Sequence, residues 1–164
     1  MSEQSNSISN SQPQLSQDEI EKRLALIKEN CIFCKIVKGE IPSKKIYEDS
    51  EFLAFLDINP LTNGHTILIP KEHYMMISFV PDEVLSKIQV LAQKLSQLLV
   101  ESLECEDVTL IIANGQAAGQ QIQHFAIHLI PRYKGDGVKL NLEGEVRDEE
   151  ELKAVKEKVL DALK

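Results

Sequence analysis

His124 and His128, four residues apart in QHFAIHLIP, are the side chains of this sequence best placed to do chemistry together. On a strand, side chains alternate between faces, so both imidazoles share one face with Ala126 between them, while Phe125, Ile127 and Leu129 share the other. The apolar set is expected to meet the core. What remains is a small, partly polar face beside the loop GQAAGQ, where a buried polar ligand could be held. Spacing alone serves equally well for two half-buried histidines satisfied by their neighbours. Cys31 and Cys34 form a CxxC pair, which fits one metal ion and fits a redox dithiol as well. Cys105 stands alone and is read as a core or surface thiol.

The elements that must position these residues follow from the apolar pattern. Residues 1–16 are mostly Ser, Gln and Asn, too polar to offset the entropy of ordering, and are read as a disordered, solvated tail. Ser16 or Asp18 can cap a helix over 17–30, whose Ile20, Leu24 and Ile27 make one narrow stripe expected to pack on the flank of the domain. A short helical turn through CIFCKIVKG leads to two strands, KKIYED and EFLAFLDI, and a loop through Asn59, Pro60, Asn63 and Gly64 enters a third, HTILIP. Pro81, Asp82 and Glu83 open a long helix in which Val84, Leu85, Ile88, Leu91, Leu95, Leu98 and Leu99 recur at helical spacing as far as Leu103. The strands VTLIIAN and QHFAIHLIP follow. An acidic linker and an amphipathic C-terminal helix bearing Leu152, Val155, Val159 and Leu163 complete the chain. The expected organisation is a tail 1–16, a helix 17–30, one domain 31–135, and a linker with helix 136–164. Strands in hairpin order around one long helix argue for an α+β fold, a five-stranded, mainly antiparallel sheet covered by helix.

Composition narrows the function. At 164 residues, 43% apolar and 27% charged, the chain has room for one core and no apolar run of bilayer length. A net charge of −8 without a basic block argues against nucleic acid and anionic membranes as partners. Three cysteines, two of them as CxxC, suit a reducing compartment, and the N-terminus shows neither a secretory core nor an Arg-rich amphipathic pattern. The expected location is the cytoplasm. GQAAGQ has neither the three-glycine dinucleotide pattern nor the Gly-Lys-Ser/Thr ending of a P-loop.

GQQIQHFAIHLIPR resembles the signature of the histidine-triad (HIT) family, in which Gly-Gln precedes three His on alternate strand positions. FLAFLDINPLTNGHTILIPKEHY resembles the earlier block of the same family. The resemblance runs from about Cys31 to Arg132 and implies a HIT-like fold that pairs into homodimers. It also implies a protein that binds nucleotide, of the class that hydrolyses nucleoside phosphoramidates or dinucleoside polyphosphates through a His-linked nucleoside monophosphate. One departure stands out: Ala126 occupies the position of the middle His, the nucleophile, and a methyl group cannot attack phosphorus. Loss of a nucleophile costs on the order of 10³–10⁶ in rate, so the chain is expected to be inactive or strongly impaired.

Carried over position by position, the resemblance makes Asp57 the acceptor of ribose hydroxyls, with Phe55 and Ile58 as apolar walls for a purine base. Asn114, Gly119 and Gln120 match the loop that approaches the phosphates. His128 matches the last triad His, and His65 the Gly-His beside the triad. Some HIT proteins, and the related hexose-1-phosphate uridylyltransferases, pair a CxxC with two His. The corresponding set here is Cys31, Cys34, His73 and His124, a closed Cys₂His₂ shell suited to structural zinc. A non-catalytic nucleotide-binding module or sensor with a structural zinc is the competing reading. Trimming of adenylate from DNA ends is disfavoured by the charge.

Overall fold

The computed structural model describes residues 16–140 and 144–163. The expected tail, apart from Ser16, and residues 141–143 of the acidic stretch lie outside the described residues. Helix α1 (Gln17–Asn30) starts at Ser16, whose hydroxyl accepts the Glu19 N–H while the Glu19 carboxylate accepts the Ser16 N–H, a reciprocal capping box. Cys31 closes α1 and opens the short α2 (Ile32–Val37). Strands β1 (Lys45–Glu48), β2 (Phe52–Leu56) and β3 (Thr66–Pro70), helix α3 (Asp82–Leu103), strands β4 (Asp107–Ile111) and β5 (Ile127–Arg132), and helix α4 (Glu149–Ala162) follow. The five strands form one sheet in the order β1-β2-β3-β5-β4, with every neighbouring pair antiparallel.

Alternation along the strands builds two cores, one on each face. On one face, Ile88, Leu91, Ala92, Leu95 and Leu99 of α3 pack on Phe52, Ala54, Leu68, Ile127 and Leu129, together with Phe125. On the other, Phe33, Cys34 and Ile36 of α2 pack on Leu53, Phe55, Ile67 and Ile69, with Ile122 and Ala126 at the margin. The apolar set around His128 therefore meets α3, and the polar face lies under α2.

The last strand is shorter than its apolar pattern predicts. It begins at Ile127, and His124 to Ala126 lie ahead of it, at or just after a bend over residues 122–124. The reason is local: β3 ends at Pro70, which has no N–H to continue the ladder. Phe125 N–H instead donates to the Tyr74 carbonyl and His124 N–H to that of Ile122. Likewise β4 stops at Ile111, so Asn114 sits in the following loop. No residue of α1 or α4 is buried, and Leu152, Val155 and Val159 of α4 each remain more than half exposed. No helix among the described residues is long and apolar enough to cross a membrane.

Candidate functional site

The fold sorts the four histidines of the chain into two clusters at opposite ends of the segment from His124 to His128. The first contains Cys31 and Cys34, from the junction of α1 and α2, His73, just beyond β3, and His124. His124 Nδ1 lies 3.5 Å from Cys31 Sγ and 3.6 Å from Cys34 Sγ, and His73 Nδ1 lies 3.2 Å from Cys34 Sγ. His124 is 1% exposed, and its Nε2 is 2.9 Å from the Pro70 carbonyl oxygen. A carbonyl only accepts, so Nε2 carries the hydrogen and Nδ1 turns a lone pair toward the thiols. Phe33 meets the ring edge-on and fixes its plane. Burial lowers the pKa of His124 to about 4, with the Pro70 hydrogen bond opposing, so the ring is neutral and able to ligate at physiological pH.

These residues fit a metal. Zinc bonds of about 2.3 Å to sulfur and about 2.0–2.1 Å to nitrogen, at tetrahedral angles, separate S and N by roughly 3.5 Å, the range spanned by the three contacts. The backbone carbonyl behind His124 is the second-layer acceptor such ligands carry. His73 Nε2 is buried without a hydrogen-bond partner among the described residues, a polar cost that points to a role for the ring beyond packing. A redox role for the dithiol fits less well. Burial first, and then Cys31, push the Cys34 thiol up to about 12, leaving it protonated and unreactive unless a cation intervenes.

The second cluster contains Asp57, His65 and His128. Asp57 follows β2, His65 precedes β3, and His128 lies on β5 opposite Ile67, so three neighbouring strands converge on one place. His65 is 4% exposed, and its Nε2 lies 3.0 Å from His128 Nδ1. Leu61 N–H donates to His65 Nδ1 over 3.2 Å. Asp57 Oδ1 accepts the Asn59 N–H at 2.8 Å, and Oδ2 lies 3.6 Å from His65 Nδ1, beyond hydrogen-bond distance. Burial lowers the pKa of both rings; for His65 the Asp57 carboxylate opposes and His128 adds to the effect, and for His128 Asp57 opposes. Asp57 and His65 are therefore a carboxylate beside a neutral ring, not an ion pair.

The remaining candidates are distributed unevenly. Ala126 is partly buried beside the α2 core, on the face of the sheet that carries His128. Phe55 is 3% exposed and stacks edge-to-face with Phe33, whereas Ile58 is 87% exposed. Asn114 Oδ1 accepts the Ile77 N–H at 3.1 Å. Gly119 is glycine because its φ is +89°; a Cβ there would meet nothing within 4 Å. The Gln120 amide is committed to the backbone: Nε2 donates to the carbonyls of Met75 at 2.7 Å and Ile122 at 3.0 Å, while Oε1 accepts the Gly115 N–H at 2.8 Å. It holds the loop in place.

Leu61, Thr62 and Pro70 contribute to these clusters, and sequence reasoning missed all three. Two of them act through main-chain atoms and carry no side-chain signal; the turn-forming run Thr62-Asn63-Gly64 ahead of His65 is the one clue.

Comparison with known proteins agrees with this architecture. A family model described as "HIT domain" matches residues 38–135. An uncharacterised HIT-like protein of Methanocaldococcus jannaschii is 43% identical over 129 residues, 77% of this chain and 98% of its own length. An adenosine 5'-monophosphoramidase of Candida albicans is 36% identical over 139 residues, 82% of this chain and 91% of its own. The crystal structure of a zinc-bound histidine triad family protein from Mycobacterium smegmatis superimposes with a TM-score of 0.64 at 34% identity, covering 84% of this chain and 99% of that one.

Proposed function

The chain belongs to the histidine-triad (HIT) family, and from that premise we propose that it binds a purine nucleotide at the Asp57–His65–His128 cluster. The observation that carries the proposal is the hydrogen-bonded pair of neutral imidazoles beside a carboxylate, at the junction of three strands. Asp57 accepts the ribose hydroxyls, exposed Ile58 flanks the base with Phe55 packed in the core behind it, and Asn114 and Gly119 border the phosphates. Gln120 keeps that loop folded, and His128 faces a phosphoryl oxygen.

The similarity to a monophosphoramidase supports a nucleoside monophosphate or its phosphoramidate or polyphosphate as ligand. Ala126 sets the limit. With a methyl group at the nucleophile position, no covalent nucleotidyl intermediate forms, and turnover is absent or strongly impaired. The same residue favours a second reading, a nucleotide-binding module or sensor that does no catalysis.

Cys31, Cys34, His73 and His124 would hold zinc, and four protein ligands leave no open position, so the ion would supply fold stability and no catalysis. We further propose a cytoplasmic homodimer in which residues 31–135 form the domain, flanked by a helix at 17–30 and a linker with helix at 136–164.

Calorimetric titration with AMP, with Asp57→Ala alongside, tests the binding site. Micromolar binding that the variant weakens tenfold or more is expected, and no binding to the wild type would sink the proposal. Steady-state turnover of adenosine 5'-phosphoramidate and of a diadenosine polyphosphate separates an impaired enzyme from a module. Metal analysis showing well under one zinc per chain would remove the zinc assignment, and light scattering showing only monomer would remove the dimer.

A further inference from the structure

We infer that the Leu61 main-chain N–H, held in place by Thr62, sets the tautomer of both imidazoles in the second cluster, so that His128 offers its ligand a hydrogen-bond donor at Nε2. A backbone amide can only donate. Leu61 N–H points at His65 Nδ1 over 3.2 Å, so that nitrogen bears a lone pair. A ring protonated at both nitrogens would have none to offer, so His65 is neutral and its single hydrogen lies on Nε2. That hydrogen is the one available for the 3.0 Å contact with His128 Nδ1, which therefore accepts. The hydrogen of a neutral His128 is then on Nε2, the nitrogen outside the pair.

The alternative arrangement is well defined. With the loop displaced, His65 Nδ1 could carry the hydrogen and face Asp57 Oδ2, now 3.6 Å away. His65 Nε2 would then accept from His128 Nδ1, and His128 would present a bare nitrogen. The two states differ by the reversal of one hydrogen-bonded chain, and with the loop in place the second is blocked, because the Leu61 hydrogen would collide with the one on His65 Nδ1.

Thr62 is the anchor that prevents this. It is 9% exposed, its hydroxyl donates to the Pro131 carbonyl of β5 at 2.6 Å, and its own carbonyl accepts the His65 N–H at 3.1 Å. The loop is thereby tied both to the strand that carries His128 and to His65. Gly64 adds a second constraint: its φ is +84°, and a Cβ there would run into the Leu103 side chain unless that side chain moved. Thr62 is a positioning residue that touches no ligand. A donor at Nε2 suits an anionic phosphoryl oxygen and opposes a cation, although Asp57, His65 and His128 have the composition of a metal triad. The identity of the ligand, though not the tautomer, rests on the nucleotide proposal above.

Long-range ¹H–¹⁵N correlation spectra of the ligand-free protein at pH 7.5 read the tautomers directly. Nε2–H is expected at both His65 and His128, and Nδ1–H at His128 would overturn the inference. Thr62→Val should convert His128 to a mixture or to Nδ1–H and weaken AMP binding about ten- to a hundredfold, the range for losing a hydrogen bond to a charged group, while Thr62→Ser should restore both. Should Thr62→Val fail to fold, Leu61→Pro at an exposed position removes the donor itself and should produce the same switch. A folded variant of either kind that keeps Nε2–H at His128 overturns the assignment. Wild type with Nε2–H but no response to AMP keeps the inference and sinks the nucleotide proposal.

Discussion

The two histidine clusters are made of similar parts and poised for different chemistry. Each takes one imidazole from near an end of β3 and one from the stretch His124–His128, and burial is the leading cause of a lowered pKa at all four rings. They differ in the one neighbour that cannot change its role. Behind His124 stands the Pro70 carbonyl, which can only accept, so the free lone pair of the ring turns to two thiols and the cluster suits a cation. Behind His65 stands the Leu61 amide, which can only donate, so the hydrogens run outward through His128 and the cluster suits an anion. Identical side chains become ligand or donor according to which main-chain atom reaches them first.

The largest effect that would sharpen this contrast is a gain. Ala126→His places an imidazole beside the donor cluster, and on the proposed function hydrolysis of adenosine 5'-phosphoramidate should rise on the order of 10³-fold or more over the wild type. Stopped or steady-state assays with both proteins decide it, and no gain would mean that the pocket serves binding alone.

Chelation, or Cys34→Ser, should break the other cluster by itself. We expect a fall in melting temperature on the order of 10 °C, equivalent to ~3–5 kcal/mol, well below the roughly 10–16 kcal/mol that structural zinc supplies to peptides without a core of their own. The His128 tautomer should be untouched. A melting curve indifferent to chelator in metal-loaded protein would contradict this.

Gly64→Ala should do the converse. The positive φ and the contact with Leu103 predict destabilisation of ~1–3 kcal/mol by urea titration, with metal content unchanged and AMP binding weakened. Acid should act on both clusters at once. Each ring has a folded pKa below its unfolded value, so its contribution to stability is complete above about pH 6.5 and is lost as pH falls toward the depressed value. The melting temperature should therefore drop between pH 7 and pH 5, and a flat profile would mean the rings are not held neutral. The smallest effect is expected at Lys28→Ala, which removes the 2.6 Å ion pair with Glu72, next to His73. Both partners are about half exposed, so a change of ~0–1 kcal/mol is expected, with no loss of metal.

Much of this protein was legible before folding was considered. Apolar periodicity alone identified the α+β class, five strands and the long helix, because alternation and 3.6-residue recurrence are properties of the chain itself. The same alternation assigned Phe125, Ile127 and Leu129 to the helix-covered face and His128 to the other, even though the strand starts only at Ile127. The resemblance supplied the Cys₂His₂ set and the nucleotide residues as types in an order. What it could not supply was commitment: Gln120 reads as a phosphate contact and is engaged with four main-chain groups, while Phe55 reads as a pocket wall and lies in the core.

The sequence by itself determined which atoms could take part, namely four imidazoles, two paired thiols, one carboxylate after β2 and, at Ala126, a methyl group between His124 and His128. Only the tertiary structure decided what each imidazole does. A histidine has two nitrogens and, when neutral, a single hydrogen, and its place is settled by partners dozens of residues away. The Pro70 carbonyl selects it for His124, while for His128 it is selected by His65, itself under the Leu61 amide. Main-chain atoms are the same at every position of a sequence, so this choice becomes visible only when folding brings them together.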